Sequence, residues 1–382
     1  MKITIVSTIN ISGIPSLRYF IKLFSKEFSA SIDVMDVQIK NVNSYYGNLS
    51  NVKFDPVFSR DKLNVESSIN EMNMLNRYFK LAKKIKKSYQ QNDSLLFTYE
   101  YTVLLIALIL KVVYGKGTKL IYHQYELVDI GVLHQKVRKI LFKWTRSLSS
   151  KIDLAIFPEI KRCEYYVNNS TLDPLKTIVI PNSCEINEHI SDDNEINIPQ
   201  GKVVVGHVGN IGLERHYFNE ILEVIDSLKN NDRYYFIFIG LKSSELDEKL
   251  KNLEFKNAIF LPAVSHELLN EYYRRIDLGI ILYKGIDLNY EFCAPNKLYE
   301  YWSYGIPVIA SILGGLKLIF KNDFQGILLN FDNRKEVMAY LNSFSPSNEK
   351  SRELKEYFDK HFRMQIHMNN LRERINELLL EK

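Results

Sequence analysis

The sequence predicts an α/β protein made of two Rossmann-like, doubly wound lobes with a cleft between them, and three observations carry that prediction. Short runs dense in Ile, Val, Leu, Phe and Tyr alternate with longer amphipathic stretches, the pattern of parallel strands covered by helices on both faces. The pattern occurs twice, once in each half of the chain. Between the halves, residues 184–201 are polar and acidic, with Asp192, Asp193, Asn194 and Glu195 in a row, a composition that suits an exposed linker.

In the first half, strands are expected at 3–7, 32–37, 95–99, 120–123, 154–157 and 178–181. In the second they are expected at 203–207, 235–239, 258–261, 278–282, 307–311 and 327–329. The chain closes with 365–381, where Ile366, Leu371, Ile375, Leu378 and Leu379 recur at helical spacing. The expected division is an N-terminal lobe at 1–183, a linker at 184–200, a C-terminal lobe at 201–350 and a helical segment at 351–382. A length of 382 residues agrees with two or three domains.

Composition excludes several classes. The net charge of +5 is mild and lacks the clustered excess of a nucleic-acid binder, so no nucleic-acid partner is expected. Cys163, Cys184 and Cys293 have no metal-binding spacing and fit free thiols in a reducing cytoplasm. The eight histidines form no HExxH pattern and no carboxylate triplet stands out, so no metal is expected. The start of the chain reads as a buried strand rather than a signal peptide. The longest apolar stretch, 101–114, is broken by Lys111 and is shorter than the roughly 20 residues that span a bilayer, so it reads as a buried helix. The expected location is cytoplasmic, at most peripheral on the inner face of the membrane.

The strongest chemical signal lies in the second half. A strand at 277–283 and a polar loop at 284–293 lead into Ala294-Pro-Asn-Lys-Leu-Tyr-Glu300. Pro295 suits the first turn of a helix, where its missing N–H costs nothing. The amides of that turn, with Asn296 and Leu298 beside them, would face phosphate oxygens, and Lys297 would add a full charge. Glu300, about one turn on, can accept hydrogen bonds from two ribose hydroxyls, and Gly305 ends the helix. A second signal is Gly206-His-Val-Gly-Asn-Ile-Gly212 after a strand, with Arg215 beyond it. The glycines, Gly209 among them, would let backbone amides approach a diphosphate, and Arg215 would neutralise it. The spacing is not GxGxxG, which disfavours a nicotinamide-dependent dehydrogenase.

The N-terminal half holds further candidates. Gly13 lies in the turn after the first strand, where it can serve only the turn, and that turn also resembles a known family's loop facing a donor diphosphate. His123 and Glu126, at the carboxyl end of another strand, can bind or deprotonate a hydroxyl, or be purely structural. Residues 77–91 and 131–150 are basic and free of acids. The second reads as an amphipathic basic helix that would lie on an anionic membrane, or as a solvated face.

The run at 294–311, APNKLYEYWSYGIPVIAS, resembles the donor-binding segment of the GT-B glycosyltransferases of group 1, retaining enzymes whose bacterial members read close to SPNKLxEYMxxGxPVIAS. The resemblance implies a metal-independent transferase with a nucleotide diphosphate sugar as substrate and no cofactor. It implies that Glu300 binds the ribose. The family's acid for the donor sugar lies eight residues earlier, where this chain has Phe292, and Glu291 beside it is the candidate substitute. The family's basic pair falls on the 206–212 loop, where Asn210 takes the usual Arg place and leaves Arg215 and Lys297. Residues 122–127 resemble the family's Y-D-x-H-E-L run, with His123 for Asp, Tyr125 for His and Glu126 retained. The catalytic set implied is Glu126, His123, Arg215 and Lys297. The acceptor implied is a glycan hydroxyl, often lipid-linked, in bacterial surface polysaccharide synthesis, and the terminal helix would return to the N-terminal lobe. A sugar-nucleotide 2-epimerase of the same architecture and a non-catalytic nucleotide-sugar-binding protein are the alternatives.

Overall fold

The computed structural model describes residues 1–380 except 40–48, 56–57, 61–70, 116, 132, 134, 184, 186–197, 252, 254 and 265. The expected linker falls mostly on residues outside this set. The chain divides into two compact units, Met1–Asn182 with Met364–Lys382, and Ser183–Arg363.

The first unit is built on β1 (Lys2–Val6), β2 (Ser31–Met35), β3 (Val37–Ile39), β4 (Val52–Phe54), β5 (Phe58–Arg60), β6 (Leu95–Thr98), β7 (Lys119–His123), β8 (Leu154–Phe157) and β9 (Thr177–Val179). Seven of these strands form one parallel sheet in the order β4-β2-β1-β6-β7-β8-β9, and β3 pairs with β5 separately. Helices α1 (Pro15–Phe28), α2 (Glu71–Gln90), α3 (Tyr101–Tyr114), α4 (Lys136–Ser147) and α5 (Ile160–Asn168) connect them. Alternate strand residues feed two cores. Ile3, Ile5, Val34, Phe97 and Ile121 pack under α1, and Val6, Leu96, Leu120, Tyr122 and Phe157 pack under α2, α3 and α5. Burial of both faces is why these strands read as continuous apolar runs. The edge strand β4 escaped the sequence pattern: three residues with Lys53 at the centre carry no periodicity.

The second unit contains β10 (Val203–Val208), β11 (Tyr234–Ile239), β12 (Ala258–Leu261), β13 (Leu278–Ile281), β14 (Val308–Ser311) and β15 (Gly326–Leu329), parallel and ordered β12-β11-β10-β13-β14-β15. Its helices are α6 (Phe218–Ser227), α7 (Ser244–Leu250), α8 (His266–Tyr273), α9 (Leu288–Glu291), α10 (Asn296–Ser303), α11 (Gly314–Lys317), α12 (Arg334–Ser343) and α13 (Asn348–His361), and α14 (Met364–Leu380) closes the chain.

One expected boundary is corrected. The helical segment 351–382 does not act as one piece. Leu354 and Phe358 of α13 are buried with Tyr299 and Trp302 of α10, so α13 belongs to the second unit. Only α14 returns to the first, where Met364, Met368, Leu371 and Ile375 are buried with Leu17, Phe20 and Phe24 of α1. Among the described residues no helix is long and apolar enough to cross a membrane.

The topology places the sites. In the first sheet the chain runs outward from β1 in one direction and from β6 in the other. In the second the reversal falls between β10 and β13. Adjacent loops diverge at such a switch point and leave a crevice at the carboxyl ends of the strands.

Candidate functional site

In the second unit, α10 begins just beyond this switch point. Pro295 is its N-cap, with φ −73° and ψ 126°, not its first helical residue; an extended ψ is what an N-cap needs and what proline tolerates. The helix ends at a Schellman pair: Gly305 N–H donates to the Trp302 carbonyl and Ile306 N–H to that of Tyr301, both at 3.0 Å. Gly305 has φ +73°, and a Cβ there would lie 2.4 Å from the Ser351 carbonyl oxygen. Only glycine closes this turn against α13.

Lys297 points inward from the first turn of α10 and is 7% exposed. Its Nζ lies 3.3 Å from His207 Nε2 and 5.0 Å from the centre of the Tyr283 ring. His207 Nδ1 is 3.1 Å from the Ile280 carbonyl. A carbonyl only accepts, so the imidazole proton sits on Nδ1 and Nε2 accepts from the ammonium. Burial, then the Lys297 charge, holds His207 well below its ordinary range and therefore neutral. The same two causes bring His216 down to about 4. Burial lowers Lys297 itself to about 8, opposed by the Glu300 charge. Among the described residues Lys297 makes no ion pair. A buried ammonium beside neutral rings is a place that favours an anion. Gly209 backs it: its φ is +119°, and a Cβ there would come within 3.1 Å of Nζ.

Glu300 sits one turn further along α10, half-buried, and its Oε2 accepts from the Tyr273 hydroxyl. Asn210 and Arg215 are exposed, and Arg215 Nη1 donates to the Tyr290 hydroxyl at 3.4 Å. Glu291 is engaged elsewhere: its Oε1 accepts from Gly314 N–H at 2.9 Å and so caps the short helix α11.

In the first unit, Gly13 closes the 3-10 turn Ile11–Gly13, and its N–H donates to Asn10 Oδ1 at 3.0 Å. His123 corrects an expectation. It is buried between Phe20 and Tyr99, with ring centres 4.8 and 5.1 Å away, and burial lowers it to about 3. A neutral ring enclosed by aromatics fits a packing role better than the acid–base role expected of it. Glu126 is exposed, on the wall of a cavity of about 590 Å³ at the carboxyl ends of β1, β6 and β7. Glu100, the residue before α3, lines the same cavity. Its Oε1 accepts from Ser7 Oγ and Thr8 N–H at 2.8 Å and from Thr8 Oγ1 at 3.0 Å. Among the described residues its Oε2 is buried without a hydrogen-bond partner, and burial raises its pKa. Of the basic stretches, α2 buries Leu81, Ile85 and Tyr89 and leaves Lys80, Lys83, Lys86 and Lys87 exposed, while Lys84 pairs with Asp33 at 3.3 Å. In α4 the cation Arg146 is not on the basic face: it stacks 3.8 Å from the Tyr166 ring centre and donates to the Tyr166 carbonyl.

The family described as "Glycosyl transferases group 1" matches residues 189–361. The match lies within the second unit and spans a little under half of the chain. A curated relative, UDP-Gal:alpha-D-GlcNAc-diphosphoundecaprenol alpha-1,3-galactosyltransferase of Escherichia coli, is 22% identical over 349 residues, 86% of this chain and 80% of that protein. An uncharacterised 41.2 kDa protein in the cps region of Klebsiella pneumoniae is 25% identical over 185 residues, 48% of this chain, and the match spans about half (49%) of that relative. Among solved structures, Anabaena Alr3699/HepE in complex with UDP and glucose superposes with a TM-score of 0.72 at 14% identity, over 99% of this chain and 100% of that one. The expected GT-B fold is therefore observed.

Three residues of these two sites are not singled out by the sequence. Glu100 stands alone before an apolar helix and carries no motif. His207 lies inside the glycine loop at 206–212, but its place beside Lys297 depends on a contact across 90 residues. Tyr273, the partner of Glu300, is an ordinary aromatic at a helix end. Among the described residues no group of three His, Cys, Asp or Glu is placed to hold a metal.

Proposed function

We propose that this group 1 transferase moves a sugar from a uridine diphosphate sugar to a hydroxyl of a lipid-linked bacterial surface glycan, with retention at the anomeric carbon. The observation that carries the reading is Lys297, a buried ammonium flanked by neutral His207 and His216 at the start of α10. A diphosphate would supply its missing counter-charge. Glu300 would accept from the ribose hydroxyls, with Gly209, Asn210, Pro295, Asn296 and Leu298 around the donor. When the bond between the anomeric carbon and the diphosphate oxygen breaks, negative charge grows on the leaving oxygen. Lys297, Arg215 and the first amides of α10 would stabilise that charge, so the proposal uses no metal. The acceptor hydroxyl forms the new bond and loses its proton, and Glu126 and Glu100 are the carboxylates of the first unit proposed to receive it. The uridine donor and lipid-linked acceptor are supported by the UDP-Gal and diphosphoundecaprenol glycan in the name of one relative and by the UDP bound in the other.

We further propose that the basic faces of 77–91 and 131–150 hold the enzyme on an anionic bilayer at the cytoplasmic side, each cation contributing about 1 kcal/mol near the surface. The deciding experiment is a thermal-shift screen of UDP, GDP, ADP and dTDP and their sugars, followed by transfer from the best donor to a diphosphate-linked lipid glycan. A rise with uridine nucleotides and a glycosylated product are expected. If no nucleotide raises the melting temperature, the proposal fails. Incubation with donor alone should yield no epimer. Flotation with anionic liposomes tests the membrane arm, and absence of binding at low salt removes it.

A further inference from the structure

We infer that the cavity of the first unit takes the hydrocarbon chain of a lipid phosphate, so that the enzyme recognises the carrier of its acceptor as well as its sugar. This deepens the proposed function and rests on its lipid-linked acceptor. The cavity, about 590 Å³, is of a size that encloses one small ligand. Its walls are mostly apolar, with Tyr101, Leu105, Ile106, Ile109, Val137 and Leu141 among them. Such a lining does not suit a sugar, which needs many hydrogen-bonding partners.

The cavity is open to the surface along two packed helices. Ile109 lines it and is exposed, and Val112 and Val113, at 66% and 65% exposure, continue the same face of α3. Val137 lines it from α4 and is 65% exposed, and Ile140 and Trp144 (56% exposed) continue that face. Soluble proteins seldom leave such apolar stripes beside a cavity unpartnered. Cations border the stripe on α4: Lys136, Lys139 and Lys143 stand on it, and Arg138 lines the cavity itself. The facing acids are Glu100, held by Ser7 and Thr8, and Glu126. A chain that is apolar along its length and carries phosphate at one end matches this arrangement. The hydrocarbon fills the cavity and the phosphate meets Arg138. The sugar attached to that phosphate then lies by Glu100 and Glu126.

The test uses the full chain and decyl phosphate below its micelle concentration, with decanol, inorganic phosphate and phosphatidylglycerol vesicles as separate arms, read by calorimetry and by the emission of Trp144. Saturable binding of one decyl phosphate per chain is expected, with a blue shift of the emission. Decanol should bind more weakly and inorganic phosphate hardly at all. Ile109→Trp and Val137→Trp fill the mouth from exposed positions and should each weaken decyl phosphate at least tenfold, while the melting shift caused by UDP stays as in the parent. Arg138→Gln should weaken decyl phosphate but not decanol. Equal decyl phosphate affinity in the parent and both Trp variants overturns the inference, as does binding to vesicles alone. Failure of decyl phosphate with intact transfer to a lipid-linked acceptor sinks the inference and leaves the proposed function standing. Normal decyl phosphate binding with no transfer to any lipid-linked acceptor does the reverse.

Discussion

Lys297→Met separates what the buried ammonium costs the fold from what it does for the ligand. Burial lowers Lys297 from 10.5 to about 8, so holding the charge inside the protein at neutral pH costs about 3 kcal/mol at 1.36 kcal/mol per unit. Met fills nearly the same volume without a charge. It forfeits the hydrogen bond to His207 Nε2, worth about 1 kcal/mol. The net expectation at pH 7 is a gain of about 2 kcal/mol, or a rise in melting temperature of roughly 4–8 °C for a unit of this size. The sign with pH follows from the lowered value. The cost is fully present below about pH 8, where the folded protein also holds the proton. It fades toward pH 10.5, as the folded protein has lost the proton and the unfolded chain still binds it. The stability difference between Met variant and parent should therefore shrink over that window. Binding moves the other way. Charge-assisted hydrogen bonds to a diphosphate are worth about 1.5–3 kcal/mol, so UDP affinity should fall roughly 10- to 150-fold. Urea denaturation at pH 7 and pH 10, paired with calorimetric UDP titration, measures both. A variant that is less stable at pH 7 than the parent, or that binds UDP within twofold of it, refutes the reasoning.

Three further outcomes follow from the same geometry. UDP affinity of the parent should decline as pH rises through about 8, because the anion binds the protonated lysine, and titration in buffers of different ionisation heat near pH 8 should show proton uptake; a flat profile from pH 7 to 9 contradicts this. Glu300→Ala should weaken UDP by about 1.5–3 kcal/mol while leaving pyrophosphate affinity and the melting temperature of the free protein nearly unchanged, and Tyr273→Phe should do so more mildly; unfolding of Glu300→Ala would mark that carboxylate as structural. His123→Phe should keep both turnover and stability, or gain about 1 kcal/mol, because it removes a buried Nδ1 that has no partner; a folded but inactive variant restores His123 to the chemistry.

The sequence by itself determined whatever depends on near neighbours. Strands buried on both faces announce themselves as apolar runs, so twelve parallel strands of the two main sheets were legible and the three-residue edge strand β4 was not. The segment from Pro295 to Gly305 was legible for the same reason. A helix start, an inward lysine, a glutamate one turn on and a left-handed glycine stop are all local features. The tertiary structure decided what depends on residues far apart. An amphipathic pattern shows that α13 and α14 each bury a face, but only packing assigns the first to α10 and the second to α1. The motif at 122–127 offered His123 as an acid–base group, and the aromatics from α1 and the end of β6 enclose it. The role of Lys297 was offered by the motif, but only the fold sets it beside His207, 90 residues away, with no ion pair among the described residues. Protonation, burial and unmet charge are properties of the surroundings, and the surroundings of a residue exist only once the chain has folded.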